Sequence, residues 1–425
     1  MKDNTLISTK SVWPSMLLSL MCATLLAACA LQGPSKNVTP ATTTLASGPA
    51  GASSASSGPV TALPYDEAVL TAAKDLFVKA QLPAGQKYNV VIDPLVDGVT
   101  GIQSVATVAM EHRVVGLVRS AFPRFEVKPF TASNVAALPL ILVGTFTPIN
   151  LQGKADGERD AYRVCFALAD LKTGKIVSKG FARSQTSGVD TTPVAFFRDS
   201  PFWVSDKVVE GYVKTCQGTK AGDPINPAYV DTIIASAAID EAFHAYNGKK
   251  YGEAVALYKA VLSNPAGDQP RTRMGLYLSN LKLGRRAAAM KEFSHIVSVG
   301  LANKRLAVKF DFRPGATAFT SHGGQENLWL KELARQLKQR PDCVEVEGHT
   351  SRGGSESIND RISSQRAEYV KQRLIADQKA LKTRLTAHGY GSRQSMVGTG
   401  SDNASDSLDR RIEFKPISCA AVAKS

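Results

Sequence analysis

The sequence predicts a multidomain chain, α/β at both ends and wholly α between them. Three observations lead there. The 425 residues exceed what one ordinary core organises. Strand and helix patterns alternate over about 64–220 and again beyond 303, whereas only helical periodicity runs through 229–302. A low-complexity stretch and paired prolines mark the joins. Apolar residues make up 44% and charged residues 21%, enough to build real cores. The net charge of +14 suits an acidic partner such as anionic lipid headgroups or the cell-wall polymer. No dense Lys/Arg run interleaved with aromatics points to nucleic acid, and none is expected as a partner.

Residues 1–29 read as a targeting segment. Lys2 and Lys10 form a weakly positive start, and an apolar stretch follows from about Val12 to Leu25, broken by Pro14 and Ser15. It is too short and interrupted to persist as a membrane span. It ends in Leu26-Ala27-Ala28-Cys29, which resembles a bacterial lipobox. That resemblance implies a lipoprotein signal peptide, cleavage before Cys29 and acylation of Cys29, with palmitate-type chains holding the protein to a membrane. Ala30, in place of Asp, then favours the outer membrane, facing the periplasm. Several acyl chains at about 0.8 kcal/mol per buried methylene make such an anchor permanent. Residues 30–63 are rich in Ser, Thr, Ala, Gly and Pro, with Lys36 the only charge. They read as a flexible tether with a reach of roughly 30–35 Å.

Over 64–220 the pattern is α/β. Helical spacing covers Asp66–Ala80 and Thr107–Ala121. Strands are expected at Tyr88–Ile92, Phe125–Phe130, Leu138–Phe146 and Tyr162–Asp170, the last turning at 171–175 into Ile176–Ala182. Val204–Cys216 reads as a helix. Val91-Ile92-Asp93-Pro94-Leu95, Ile141-Leu142-Val143-Gly144-Thr145 and the hairpin from Leu168 to Val177 loosely resemble LpoB-like penicillin-binding-protein activators. Committing Cys29 to lipid and removing Cys22 leaves Cys165, Cys216, Cys343 and Cys419. Four cysteines in an oxidising compartment allow three pairings. Their spacing favours disulfides Cys165–Cys216 and Cys343–Cys419. No CxxC or His cluster suggests a metal, and no cofactor is expected.

In 229–302, Ala242, Ala254 and Tyr258 fall at the small and aromatic positions of a helical repeat closed by Pro265. A shift of 35 residues maps Ala254 and Tyr258 onto Ala289 and Phe293. The segment resembles a short TPR array, which implies either a protein-partner groove or a spacer.

Beyond 303, strand, helix, strand, helix and two strands succeed one another. Leu306–Phe312 alternates. Gln325–Lys338 is helical, and Cys343–Thr350 ends a strand in a Gly-containing polar loop. Ser357 then reads as the cap of a helix reaching Ala376. The order Glu347-Gly348-His349-Thr350, then Asn359, Ile362, Ser363, Arg366 and Ala367, then Gly389-Tyr390-Gly391, then Arg410-Arg411-Ile412-Glu413 resembles the OmpA-like domain over 303–420. The resemblance implies a βαβαββ fold and peptidoglycan binding through stem diaminopimelate. The expected contacts are Thr350, Ser351, Asn359, Ser363, Arg366 and Arg411. Independently, Asn359, Ser363 and Arg366 share one helix face at i, i+4 and i+7, and an Arg there suits a carboxylate. The sequence departs from the family in one respect. Ser351 stands where an Asp would hold the ligand ammonium, a loss of about 1.5–3 kcal/mol if nothing replaces it. Arg352 and Glu356 flank it, and Asp409 stands where Asn is usual.

Three functions are consistent with these features. One is a non-enzymatic linker between outer membrane and wall that recruits or regulates a partner. Another is an assembly scaffold whose terminal domain has lost its ligand. The third is an envelope hydrolase in 64–220, where no Gly-x-Ser-x-Gly, HExxH or Cys/His pair occurs and Asp93, Asp97 and Asp170 are scattered.

Overall fold

The structure, a computed structural model, describes residues 61–320 and 324–422. Cys29, its lipobox and the tether up to residue 60 lie outside the described residues. Among the described residues no helix is long and apolar enough to cross a membrane.

The first part runs α1 (Tyr65–Val78), β1 (Tyr88–Ile92), β2 (Val96–Asp97), α2 (Val105–Ala121), β3 (Phe125–Lys128), α3 (Ala132–Ala136), β4 (Leu140–Ile149), β5 (Ala161–Asp170) and β6 (Lys175–Ser184). Its sheet has the order β3-β1-β4-β5-β6, with β2 added beside β4. β1 is parallel to β3 and β4, while β4, β5 and β6 run antiparallel. All ten residues of β4 are buried because helices cover both faces. Leu140, Leu142 and Phe146 meet α1 and α2, and Ile141 and Val143 meet the opposite layer. α2 starts at Ser104, whose side chain and that of Thr107 satisfy each other's backbone N–H. A Cβ on Gly180 would lie 1.9 Å from Ala72 O, so β6 passes directly against α1.

The chain then leaves this sheet through α4 (Ala195–Asp199) and β7 (Phe202–Val204), and returns in α5 (Lys207–Gln217) and α6 (Pro227–Val230). Here the sequence reading needs correction: Val204 ends a strand, and the helix starts only after Asp206, whose carboxylate accepts from Val208 N at 2.9 Å. The reason is non-local, since β7 pairs antiparallel with β8 (Leu306–Val308), more than 100 residues on, with Phe202 opposite Val308. The Cys165–Cys216 disulfide joins β5 to α5.

Four helices follow, each packed on the next: α7 (Ile233–Asn247), α8 (Tyr251–Val261), α9 (Pro270–Lys282) and α10 (Arg286–Ala302). Ala242, Ala254, Tyr258, Ala289 and Phe293 are all fully buried. Gly275 is needed in α9 because a Cβ there would fall 2.1 Å from the Tyr258 ring.

After β8 come α11 (Gly324–Gln339), β9 (Cys343–Gly348), α12 (Glu356–Asp377), β10 (Leu385–Gly389), β11 (Ile412–Ile417) and α13 (Cys419–Val422). This is the expected βαβαββ order, in a sheet β10-β9-β11-β8-β7 whose last strand comes from the first part of the chain. Val344, Val346, Ile412 and Phe414 face Leu330, Leu333, Val370 and Leu374. That core is continuous with the one inside α7–α10 and includes Phe196, Phe202 and Val204. Segments 229–302 and 303–420 therefore share one core, and 196–204 crosses into it. The Cys343–Cys419 disulfide ties β9 to α13.

Candidate ligand site

Two glycines set the geometry where β9 and β10 end. A Cβ on Gly348 would lie 2.1 Å from Ser363 O, and one on Gly389 2.2 Å from Ser364 Oγ. Both strand ends therefore lie directly on the first turns of α12, which brings the loop after β9 to Asn359 and Ser363. Asn359 Nδ2 donates to Gly353 O at 3.2 Å, and Ser363 Oγ accepts from Gly391 N at 3.0 Å. Thr350 N donates to Gly391 O at 3.0 Å, while Thr350 Oγ1 is buried with no hydrogen-bond partner among the described residues. α12 begins one residue after Ser355, so the expected cap at Ser357 lies inside the helix. Neither hydroxyl caps it; they sit 3.2 Å from each other.

Arg366 lies one turn further along. Its guanidinium covers the Phe312 ring at 4.7 Å and donates to Ala316 O (3.1 Å) and Arg313 O (3.3 Å). Among the described residues no carboxylate is paired with it. Glu368, two residues on, pairs with Lys371 at 2.9 Å, and Asp360 and Glu356, earlier on the helix, are taken by Arg393 at 2.6 and 3.0 Å. Burial, and after it the charge of Arg410, lowers the Arg366 pKa. It is a buried cation whose partners among the described residues are carbonyls and a ring.

A carboxylate stands across the loop from Ser351. Ser351 Oγ donates to Asp402 Oδ1 at 2.5 Å, and a Cβ on Gly353 would approach Asp402 Oδ2 to 3.1 Å. Arg410 Nη1 also reaches Asp402 Oδ1, at 2.7 Å. Two further acids build the loop that presents Asp402, which itself has φ +51°. Asp409 accepts from the backbone N–H of Met396 (2.5 Å), Val397 (2.9 Å) and Gly398 (2.7 Å). Asp406 accepts from Thr399 N at 2.9 Å and Asp402 N at 3.0 Å. An Asp at 409 thus closes the loop. Glu356, bonded to Ser392 and Arg393, does not stand in for the missing acid.

Arg411 is placed elsewhere. It lies in a buried polar layer, its Nε on Glu413 Oε1 at 2.6 Å and its Nη2 on Gln394 O at 3.1 Å. Arg410 is therefore the arginine that adjoins the Ser351–Asp402 pair. Carboxylates of Glu347 and Glu413 and a ring nitrogen of His349 come within 4.8 Å of one another. Both carboxylates already have cations, Lys415 at 3.1 Å on Glu347 and Arg411 and Arg305 on Glu413. The chemistry is that of an ion-pair layer, whose charges are balanced without a metal. Of the predicted residues, the structure brings Thr350, Ser351, Asn359 and Ser363 around one loop and sets Arg366 beside it. It adds Asp402 and Arg410. The only hint of Asp402 in the sequence is the turn-forming run Gly398–Asp406.

Residues 312–407 match the model of the OmpA family. The chain is 37% identical over 109 residues to outer membrane porin F of Pseudomonas fluorescens, covering 25% of this chain and 31% of that protein. It is 32% identical over 113 residues to outer membrane porin F of Pseudomonas aeruginosa, covering 26% and 30%. The chain thus spans about a third of the length of the curated relatives it matches. Among solved structures, the peptidoglycan-associated lipoprotein of Burkholderia pseudomallei aligns at 23% identity and TM-score 0.23, over 28% of this chain and 92% of that one. The periplasmic domain of Helicobacter pylori MotB aligns at 15% identity and TM-score 0.24, over 27% and 75%.

Proposed function

Since residues 312–407 form an OmpA-family domain, we propose that this chain is a non-enzymatic linker holding peptidoglycan to the outer membrane. Cys29 carries the lipid anchor, and the terminal domain takes the zwitterionic end of a stem diaminopimelate. Its carboxylate meets Arg366 and its ammonium meets Asp402, oriented by Ser351, with Thr350, Asn359 and Ser363 shaping the floor. The observation that carries this reading is the Ser351–Asp402 hydrogen bond, which supports an acid where the sequence alone has none. The TPR-like helices α7–α10 and the first α/β part recruit or regulate a protein partner in the periplasm.

Co-sedimentation with isolated sacculi tests it. Wild type pellets with the wall, and Arg366→Ala weakens binding at least tenfold with an unchanged melting temperature. Equal binding by Arg366→Ala removes the site. A second reading, a scaffold without wall binding, draws on Arg366 and Asp402 already having partners within the protein. It expects no sedimentation of wild type at all.

A further inference from the structure

A second site lies where the three parts of the chain meet. A cavity of about 340 Å³ opens between the loop after β2, the β7 segment, α5 and α9. That volume is in the range of small-molecule sites. Phe196, Phe202, Trp203, Val213, Met274 and Leu408 supply an apolar wall.

Lys214, Arg271, Arg305 and Lys309 also line the cavity. Lys309, one residue past β8, lines it, and its amino group touches only the carbonyls of Phe197 (3.3 Å) and Arg198 (3.4 Å). Arg271 lines it too and bonds only Gly101 O, at 3.2 Å. Neither has an ion-pair partner among the described residues. Arg305 stacks over Trp203 at 4.8 Å and reaches Glu413 only at 3.4 Å. Two acids share the lining. Glu210 accepts from Ser205 Oγ at 2.5 Å. Asp206 accepts from Val208 N at the start of α5, and burial raises its pKa while Arg271 lowers it. An unpaired ammonium in apolar surroundings is costly unless an anion joins it. Burial draws the Lys309 pKa down to about 8, with Asp199 raising it and Arg410 lowering it.

We propose that this cavity binds an amphipathic anion, its apolar body against the Phe202–Trp203 wall and its carboxylate or phosphate group on Lys309. The loop after β2, β7, α5 and α9 build most of the site, and Arg305, Lys309 and Leu408 reach it from the terminal domain.

The test uses residues 58–425, which form one compact unit, and titration calorimetry with octanoate, octyl phosphate, octanol and octylamine. Octanoate or octyl phosphate is expected to bind at least tenfold more tightly than octanol, and octylamine more weakly still. Whichever anion binds more tightly identifies the headgroup. Near pH 8 anion binding takes up protons as Lys309 becomes fully charged, seen as a heat that depends on the buffer. Lys309→Met, with its melting point checked, is expected to bind octanoate no better than octanol. Val213→Trp fills the cavity and is expected to weaken both. Equal affinity for octanoate and octanol in wild type overturns the proposal, as does undiminished octanoate binding by folded Lys309→Met or Val213→Trp. Absence of binding by either anion at millimolar concentration overturns it as well.

Discussion

Ser351 donates a 2.5 Å hydrogen bond to Asp402, a residue 51 positions further along the chain. A hydroxyl from the loop after β9 and a carboxylate from the loop before β11 thus meet directly. If the proposed ammonium binds here, the two positions are interchangeable in principle, because what it senses is the carboxylate and not its point of attachment. Asp402→Ser is expected to weaken wall binding by about 1.5–3 kcal/mol, roughly ten- to a hundredfold. Ser351→Asp alone brings two carboxylates together with only Arg410 between them, so no gain is expected. The double exchange, Ser351→Asp with Asp402→Ser, restores affinity to near wild type. Sacculus-binding isotherms for the four proteins check this. A large gain from Ser351→Asp alone would show that Asp402 is not the acting acid.

The edge strand β7 predicts how the terminal domain behaves when cut free. β7 covers β8 and places Phe202 between Phe293 and Trp329, at ring separations of 4.4 and 5.1 Å. A fragment beginning at residue 303 lacks β7 and α10, exposing both the β8 edge and that aromatic core. It is expected to melt well below the 58–425 unit and to self-associate, as unprotected edges do. Within the intact unit, Phe202→Ala is expected to cost about 3–5 kcal/mol. Thermal melts and sedimentation velocity measure both effects.

These two cases show what the sequence holds and what it withholds. The β4 apolar run, the β5–β6 hairpin and the βαβαββ order were legible because each depends on local periodicity or a motif of fixed spacing. Asn359, Ser363 and Arg366 were legible as one helix face for the same reason. β7 was not: three residues carry no readable period, and they are extended only because β8 pairs with them. Asp402 was hidden likewise, since its position comes from a loop folded by Asp406 and Asp409 and not from any neighbour in sequence. Arg410 and Arg411 adjoin in sequence yet diverge, because Arg411 alternates with the core residue Ile412 and turns to the polar face, leaving Arg410 free to meet Asp402.

Asp93 predicts a loss of stability between acid and neutral pH. It is buried beneath the sheet, accepts from Tyr229 Oη at 2.6 Å, and burial pushes its pKa to about 7. A carboxyl whose folded pKa is raised contributes stability that is fully present below its unfolded value of about 3.8 and lost as pH rises through 7. Asp93→Asn keeps an acceptor for Tyr229 and removes the charge. It is expected to match wild type at pH 3 and to exceed it by roughly 2–4 kcal/mol at pH 8.5. Denaturant titrations at the two pH values decide it, and a variant less stable at both would place the charge in a favourable contact.

Glu413 predicts the opposite slope. Burial alone would raise its pKa, but Arg411 at 2.6 Å and then Arg305 pull it to about 2. A carboxylate with a depressed folded pKa contributes stability present above its unfolded value of about 4.5 and lost as pH falls towards 2. Glu413→Gln therefore flattens the acid limb of the stability curve between about pH 4.5 and 2. At neutral pH it leaves Arg411, which is only 2% exposed, without a counter-charge, at a cost of about 3–5 kcal/mol. Replacing Arg411 and Glu413 together, as Arg411→Met and Glu413→Leu, removes both charges and costs less than the single change. The polar layer adjoins the loop that carries Asp402 through Arg411 Nη2 on Gln394 O. The single variant is accordingly expected to weaken wall binding as well, whereas a binding site independent of this layer leaves affinity unchanged.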